Sequence, residues 1–244
     1  NDPANRLFPP PRALAEVLEL INDPGLNEVW KQDETIGWVY QYFTPKELKD
    51  KARKESQAPR NSYELALRNQ FYTPRYVVRF LVDNTLGRTW WEMRGGDTRL
   101  SQVCEYMLQP ADQAHRNRDK KDPRDIRIID PACGSGHFLL YCFDLLQVMY
   151  EEACLDSSSP PSAATGKTLQ QDYPDLADFK RQIPLLILEH NLHGIDIDLR
   201  STQIAALALW MRAQRAFEEM GLPKGQRPRL KRPRIVCAEP MPGE

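Results

Sequence analysis

The chain has 244 residues with 33 basic and 34 acidic side chains, so its formal net charge is −1. This length allows one large domain, or a domain beside a smaller one, and the balanced charge excludes a surface that is basic throughout and binds nucleic acid everywhere. The five cysteines are scattered without a C-x-x-C pair, which argues against a zinc site and a disulfide framework and favours a cytoplasmic location. No apolar run is long enough to predict a membrane span or a signal peptide.

Residues 1–110 carry the signals of a helical N-terminal domain. Helix starts are marked by Pro11, by Thr44-Pro45 with Glu47 in a capping box, by Asn61 three residues before Glu64, and by Thr73-Pro74. Apolar side chains then recur at helical spacing. The predicted helices cover residues 11–21, 28–43, 45–55, 61 onward, 74 to a stop at Gly87, and 99–108.

The pattern changes after residues 111–125, which are polar and charged and are interpreted as a linker. Predicted strands over 126–130, 192–197 and 234–238 alternate with predicted helices over 136–154, 175–191 and 199–220. Strands that alternate with helices predict an α/β fold with a parallel sheet and right-handed crossovers over residues 126–244.

A glycine-rich turn connects the first predicted strand to the helix that follows it. Gly134 and Gly136 lack a Cβ, so a ligand can lie against the backbone, and the N–H groups that open the helix suit a carboxylate. Asp130, at the strand end, can accept a hydrogen bond from an ammonium group. A dinucleotide-binding loop fits poorly because Leu139 stands where its third glycine belongs, and a tight turn without a ligand is the other alternative. The whole turn comprises Asp130, Pro131, Ala132, Cys133, Gly134, Ser135 and Gly136.

A second acidic segment, G-I-D-I-D, ends the second predicted strand. Asp196 can accept hydrogen bonds from both hydroxyls of a ribose, with Ile197 beside it as a further candidate contact. Asp198 is predicted to cap the next helix, and the alternative is that both aspartates only cap.

Two more segments are weaker candidates for the same ligand. Tyr72 and Thr73 lie in the turn F-Y-T-P, which is either an ordinary helix start or a turn that folds over the ligand. Glu239 ends the third predicted strand and either accepts from an adenine amino group or remains a solvated carboxylate.

Other features are interpreted as structural. Trp38, Tyr40 and Tyr42 are predicted to build core, since aromatic side chains at such spacing usually do. The basic stretch 224–234 is interpreted as a solvated loop rather than a DNA contact. His137 receives no catalytic role, and the remaining histidines lack partners at metal spacing, so no metal site is predicted.

Taken in order, F-Y-T-P, D-P-A-C-G-S-G, G-I-D-I-D and A-E-P resemble the amino-terminal half of N6-adenine DNA methyltransferases. The large methyltransferases of BREX phage-defence systems and fused restriction–modification enzymes are the most similar, through residues 30–43 and 71–87. The resemblance implies a Rossmann-like core that binds S-adenosylmethionine, with Thr73, Asp130, Gly134, Gly136 and Asp196 among its contacts. It also implies double-stranded DNA as a partner, with other defence-system subunits as further candidates.

The family's catalytic Asn-Pro-Pro-Tyr/Phe motif is absent from the sequence. In the family, that motif holds the flipped adenine whose N6 attacks the methyl group. We therefore expect the chain to hold an incomplete core that binds the cofactor and does not methylate DNA unaided, with target recognition elsewhere. A non-catalytic module that senses S-adenosylmethionine or assembles with partners is the alternative, and methylation of RNA or protein is a weaker one.

Overall fold

The structure, a computed structural model, describes residues 9–43, 45–108 and 118–238, without the side chain of Ser62. Its N-terminal part is helical, as predicted. Pro11 opens the first helix, where its missing N–H is not needed, and the Asn61 side chain caps another by accepting from the Glu64 N–H at 2.9 Å. The helices are α1 (Pro11–Ile21), α2 (Asn27–Trp30), α3 (Thr35–Phe43), α4 (Lys46–Glu55), α5 (Ser62–Asn69), α6 (Arg75–Val82), α7 (Arg88–Met93) and α8 (Leu100–Val103).

Two predicted helices differ from the structure in their extent. The helix predicted over residues 28–43 is divided, because the chain turns between α2 and α3, where Asp33 reaches Arg215 at 3.0 Å. The predicted stop at Gly87 is wrong. A π turn, Asp83–Gly87, continues directly into α7, and a Cβ on Gly87 would lie 2.9 Å from the Cys104 sulfur. This glycine therefore allows close packing and does not end the helix.

The helix predicted over residues 99–108 is limited to α8. The backbone after α8 makes tertiary hydrogen bonds in place of helical ones. The Tyr106 N–H donates to Asp83 at 3.0 Å and the Leu108 N–H donates to Asn84 at 2.9 Å. The predicted capping residue Thr44 lies outside the described residues, and α4 begins after Pro45.

The α/β part contains a three-stranded parallel sheet in the order β1 (Ile128–Asp130), β2 (Leu192–Asp196), β3 (Arg234–Cys237). The parallel sheet predicted from the alternation of elements is thereby confirmed. The helices of this part are α9 (His137–Leu155), α10 (Leu169–Asp172), α11 (Leu176–Leu186) and α12 (Leu199–Glu219), and a π turn over Ile187–Asn191 leads into β2.

Helix α9 lies at the centre of the core. Its apolar side chains are buried against the sheet, against α12 and against α6, so the N-terminal helices and the α/β part share one hydrophobic cluster. The Glu152 carboxylate strengthens this contact by accepting from the Trp90 indole at 2.7 Å and from the Arg99 N–H at 2.6 Å. Fully buried members of α9 are Leu139, Phe143, Leu145, Leu146, Met149 and Tyr150.

The polar stretch before β1 is partly buried where the structure describes it. Asp122 is 1% exposed and Arg124 is 3% exposed, and Arg124 donates to Asp122 at 2.8 Å and to Asp172 at 2.6 Å. Its charges therefore connect this stretch to α10. No helix in the described ranges has the length and apolar character needed to cross a membrane.

Candidate functional site

The carboxyl ends of β1 and β2 border a cavity of about 270 Å³. Three separate segments line it: the end of α5 with the turn after it, the glycine-rich turn with the start of α9, and the end of β2 with the start of α12. The structure thus brings together most of the candidates named from the sequence. Those that line the cavity are Tyr72, Thr73, Ala132, Cys133, Gly134, Asp196 and Ile197.

The glycine-rich turn is folded by two left-handed residues, Gly134 with φ 52° and Gly136 with φ 87°. Glycine adopts this conformation without strain because it has no Cβ. The Gly136 N–H closes the turn on the Cys133 carbonyl at 2.8 Å, and the Cys133 N–H ties it to Ile195 of β2 at 2.9 Å. Among the described residues no side chain caps α9, which begins after Gly136, so the first N–H groups of α9 suit a bound anion.

Protein atoms fill the space beside both glycines. A Cβ on Gly134 would lie 2.9 Å from the ring of Tyr72, and one on Gly136 would lie 3.2 Å from the Cβ of Ala205 in α12. The sequence alone predicts a ligand in this space. In the structure the glycines permit close packing, so a ligand would meet this turn through its N–H groups.

Asp196 connects the two strand ends. One carboxylate oxygen accepts from the Gly134 N–H at 2.8 Å and the other accepts from the Asp198 N–H at 2.9 Å. A carboxylate offers about four acceptor positions, so about two remain for a ligand. Asp198 accepts from the Arg200 N–H at 2.9 Å as the cap of α12, which confirms the capping role predicted for it.

Asp130 carries an unpaired acceptor. Its Oδ1 accepts from the Ala132 N–H at 3.1 Å, whereas its Oδ2 is buried without a hydrogen-bond partner in the described chain. Burial, with Asp196 nearby, raises the pKa of this carboxyl above its usual value of 3.8. A buried acceptor without a partner favours a ligand that brings a donor, such as an ammonium group. Asp130, Pro131 and Gly136 belong to the turn but do not line the cavity.

A second cavity, of about 380 Å³, adjoins the first and shares Ala66, Gln70, Ile197 and Asp198 with it. The Gln70 Oε1 is another buried acceptor that lacks a partner among the described residues. Ligand sites commonly occupy a few hundred to about 1,000 Å³, so the two cavities together offer room for a nucleoside-sized ligand with an amino-acid tail. The Glu239 candidate lies outside the described residues.

Tyr72 covers the glycine-rich turn. It is 7% exposed, its hydroxyl lies 3.0 Å from the Ser201 hydroxyl, and its N–H donates to the Gln41 side chain at 2.6 Å. Burial raises the pKa of Tyr72 to about 12, so its hydroxyl stays protonated at neutral pH. The F-Y-T-P segment therefore folds onto the turn.

Helix α3 also contributes to the site, and the sequence argument missed this. Gly37 lies against Ser135 and His137 so closely that a Cβ would clash, and the Trp38 ring lies 4.8 Å from His137. The Tyr40 hydroxyl donates to Asp198 at 2.8 Å across 158 residues of sequence. No local signal in the sequence indicates such distant contacts.

The prediction that the aromatic residues of α3 build the core is wrong. Tyr42 is 78% exposed, while Trp38 and Tyr40 are half-buried at the site. Burial lowers the pKa of His137 below its usual 6.5, which favours the neutral imidazole at pH 7. The described residues contain no group of three or more His, Cys, Asp or Glu side chains arranged for a metal ion.

Residues 112–231 match the family described as MmeI, DNA-methyltransferase domain. Adenine-specific methyltransferase BrxX of Escherichia coli is 31% identical over 195 residues, or 77% of this chain and 14% of that protein. Adenine-specific methyltransferase PglX of Lacticaseibacillus casei is 32% identical over 196 residues, or 75% of this chain and 14% of that protein.

A putative type II restriction enzyme and methyltransferase of Methanocaldococcus jannaschii is 24% identical over 220 residues, or 85% of this chain and 16% of that protein. The chain thus spans only a small share of each of these curated relatives. The resemblance predicted from the sequence is nevertheless confirmed, because the chain is similar to adenine-specific methyltransferases over most of its length.

Proposed function

From this similarity to adenine-specific methyltransferases, we propose that the chain is the S-adenosylmethionine-binding portion of a DNA adenine-N6 methyltransferase of a phage-defence or restriction–modification system. The observation that carries the proposal is the D-P-A-C-G-S-G turn at the carboxyl edge of a parallel sheet, held by Asp196, with unpaired acceptors beside it. Ligands of open α/β sheets bind at this edge.

The residues at this edge match the chemical groups of S-adenosylmethionine. The uncapped start of α9 suits the cofactor's carboxylate, the unpaired oxygen of Asp130 suits its ammonium group, and the open positions of Asp196 suit its ribose hydroxyls. Tyr72 and Thr73 form the wall beside the amino-acid portion. Glu239 remains the candidate for the adenine amino group.

The bound cofactor supplies a methyl group on a positively charged sulfur. The residues of this chain bind and orient the cofactor, and we assign none of them to the transfer step. His137 is buried and neutral, and attack by an amine lone pair needs no strong base there. The Asn-Pro-Pro-Tyr motif that would hold the acceptor adenine does not occur in the sequence. We therefore propose that double-stranded DNA and other defence-system subunits are partners, and that they contact mainly regions outside this chain. The proposed location is the cytoplasm.

Titration calorimetry with S-adenosylmethionine tests the proposal directly. We expect saturable binding by the protein and none by Gly136→Arg, because an arginine is strained at φ 87° and meets Ala205. Gly166→Arg is the matched control, since Gly166 has a similar φ of 68° but no atom of the described residues within 4 Å of an added Cβ. That variant should bind normally.

Asp196→Ala gives a second variant, which removes the carboxylate while leaving both glycines in place. Loss of a charge-assisted contact should weaken binding by about 1–3 kcal/mol. The proposal fails if the folded protein does not bind S-adenosylmethionine, or if Gly136→Arg binds as well as Gly166→Arg does.

A further inference from the structure

We infer that Tyr40 of α3 is a positioning residue for the cofactor site, acting on the Asp196 carboxylate through Asp198. This inference rests on the proposed function and adds to it an element from the N-terminal helices. Residues 30–43 contribute to the family resemblance, but none of the four motifs F-Y-T-P, D-P-A-C-G-S-G, G-I-D-I-D and A-E-P includes a residue of α3.

A continuous series of hydrogen bonds connects α3 to the glycine-rich turn. The Tyr40 hydroxyl donates to Asp198 Oδ2 at 2.8 Å. The Asp198 N–H donates to Asp196 Oδ1 at 2.9 Å, and Asp196 Oδ2 accepts from the Gly134 N–H at 2.8 Å. The orientation of the proposed ribose-binding carboxylate thus depends on where Asp198 lies.

A second branch reaches Tyr72. The Ser201 hydroxyl donates to Asp198 Oδ2 at 2.9 Å. Since a carboxylate only accepts, the single proton of Ser201 is used there, and the Tyr72 hydroxyl must be the donor in its 3.0 Å contact with Ser201. Asp198 is therefore the common acceptor that links α3 to the residue covering the glycine-rich turn.

Helix α3 is held in place independently of Tyr40. Asp33, just before the helix, pairs with Arg215 of α12 at 3.0 Å, and the Gln41 side chain accepts from the Tyr72 N–H at 2.6 Å. Gly37 contacts Ser135 directly. Removing only the Tyr40 hydroxyl should therefore leave α3 in position while releasing Asp198 from one of its donors.

The test compares Tyr40→Phe with Tyr42→Phe by titration with S-adenosylmethionine. The two variants make the same chemical change on the same helix, but Tyr42 is 78% exposed. We expect Tyr40→Phe to bind S-adenosylmethionine about three- to tenfold more weakly. The effect is limited because only part of the free energy of the hydrogen bond from Tyr40 to the charged Asp198 affects the bound ligand. Tyr42→Phe should bind like the unmodified protein, and both should melt within about 2 °C of it.

Asp198→Ala completes a double-mutant cycle that separates positioning from a general loss of structure. If Tyr40 acts through Asp198, then Tyr40→Phe should cause little further loss of affinity in the Asp198→Ala protein. The inference would be overturned if the losses of affinity caused by Tyr40→Phe and Asp198→Ala were fully additive. It would also be overturned if Tyr40→Phe bound S-adenosylmethionine normally while Asp196→Ala bound it more weakly. Absence of binding by the folded unmodified protein would instead overturn the proposed function, and the inference with it.

Discussion

Helices α1 and α3 are close in sequence and both are rich in apolar side chains, but they differ completely in what they contact. Helix α1 buries none of its residues against the described chain, and its Leu20 is 69% exposed. Helix α3 contacts α12 and the glycine-rich turn. Apolar spacing thus predicts a helix without indicating what that helix packs against, because burial depends on residues far away in sequence.

The largest expected difference lies between the buried and exposed faces of one helix in the α/β part. Leu209 of α12 is 0% exposed, whereas Leu207 of the same helix is 45% exposed. Leu209→Ala should lower the free energy of unfolding by about 2–5 kcal/mol, since it removes buried methyl groups and leaves a cavity. Leu207→Ala is the matched control, and urea denaturation of both variants measures the difference. Similar effects at the two positions would mean that the face of α12 we describe as exposed is covered.

The glycine-rich turn differs from both faces of α12, because the burial of the Asp130 carboxylate there lowers the stability of the folded protein. The raised pKa of Asp130 means that the folded protein binds its proton more tightly than the unfolded chain does. The protonated Asp130 carboxyl therefore contributes to the stability of the fold below its usual pKa of 3.8, and this contribution is lost as pH rises through the raised pKa. At neutral pH the ionised carboxylate is thus destabilising.

Asp130→Asn tests whether the ionised Asp130 carboxylate destabilises the folded protein at neutral pH. The variant should be more stable than the unmodified protein at pH 7, on the order of 1 kcal/mol for relief of a partly buried, unpaired charge, and the advantage should shrink towards pH 4. Its affinity for S-adenosylmethionine should fall at the same time, because the neutral amide pairs less well with an ammonium group. Melting curves and titrations at both pH values measure this. A variant that lost stability at pH 7 would show that the unpaired oxygen of Asp130 is satisfied in the folded protein.

Local signals explain which parts of this structure are predictable from the sequence. Pro11, Asn61 and Asp198 each act within a few residues, and the helices they begin are found where the sequence places them. The parallel order of the strands follows in the same way from the helices that separate them. The glycine-rich turn is recognisable because its conformation is dictated by its own residues, Gly134 and Gly136.

The features that the sequence argument missed all depend on tertiary contacts. Gly87 has the appearance of a helix stop, but its missing side chain makes room for Cys104. Tyr40 has the spacing of a core residue, but its hydroxyl reaches Asp198. Likewise, the space beside Gly134 holds Tyr72. In each case the partner is set by the fold, and no spacing within the segment indicates it.

The smallest expected effect is on the exposed helix α1. Leu20→Ala makes the same change as Leu209→Ala but on the exposed helix, where few contacts are lost and alanine favours the helix. The free energy of unfolding should change by less than about 0.5 kcal/mol, measured under the same denaturation conditions. A loss above about 1 kcal/mol would mean that α1 packs against another surface in solution, for example a second copy of the protein. Dependence of that loss on protein concentration would identify the second copy, whereas a loss independent of concentration would place the contact within one chain.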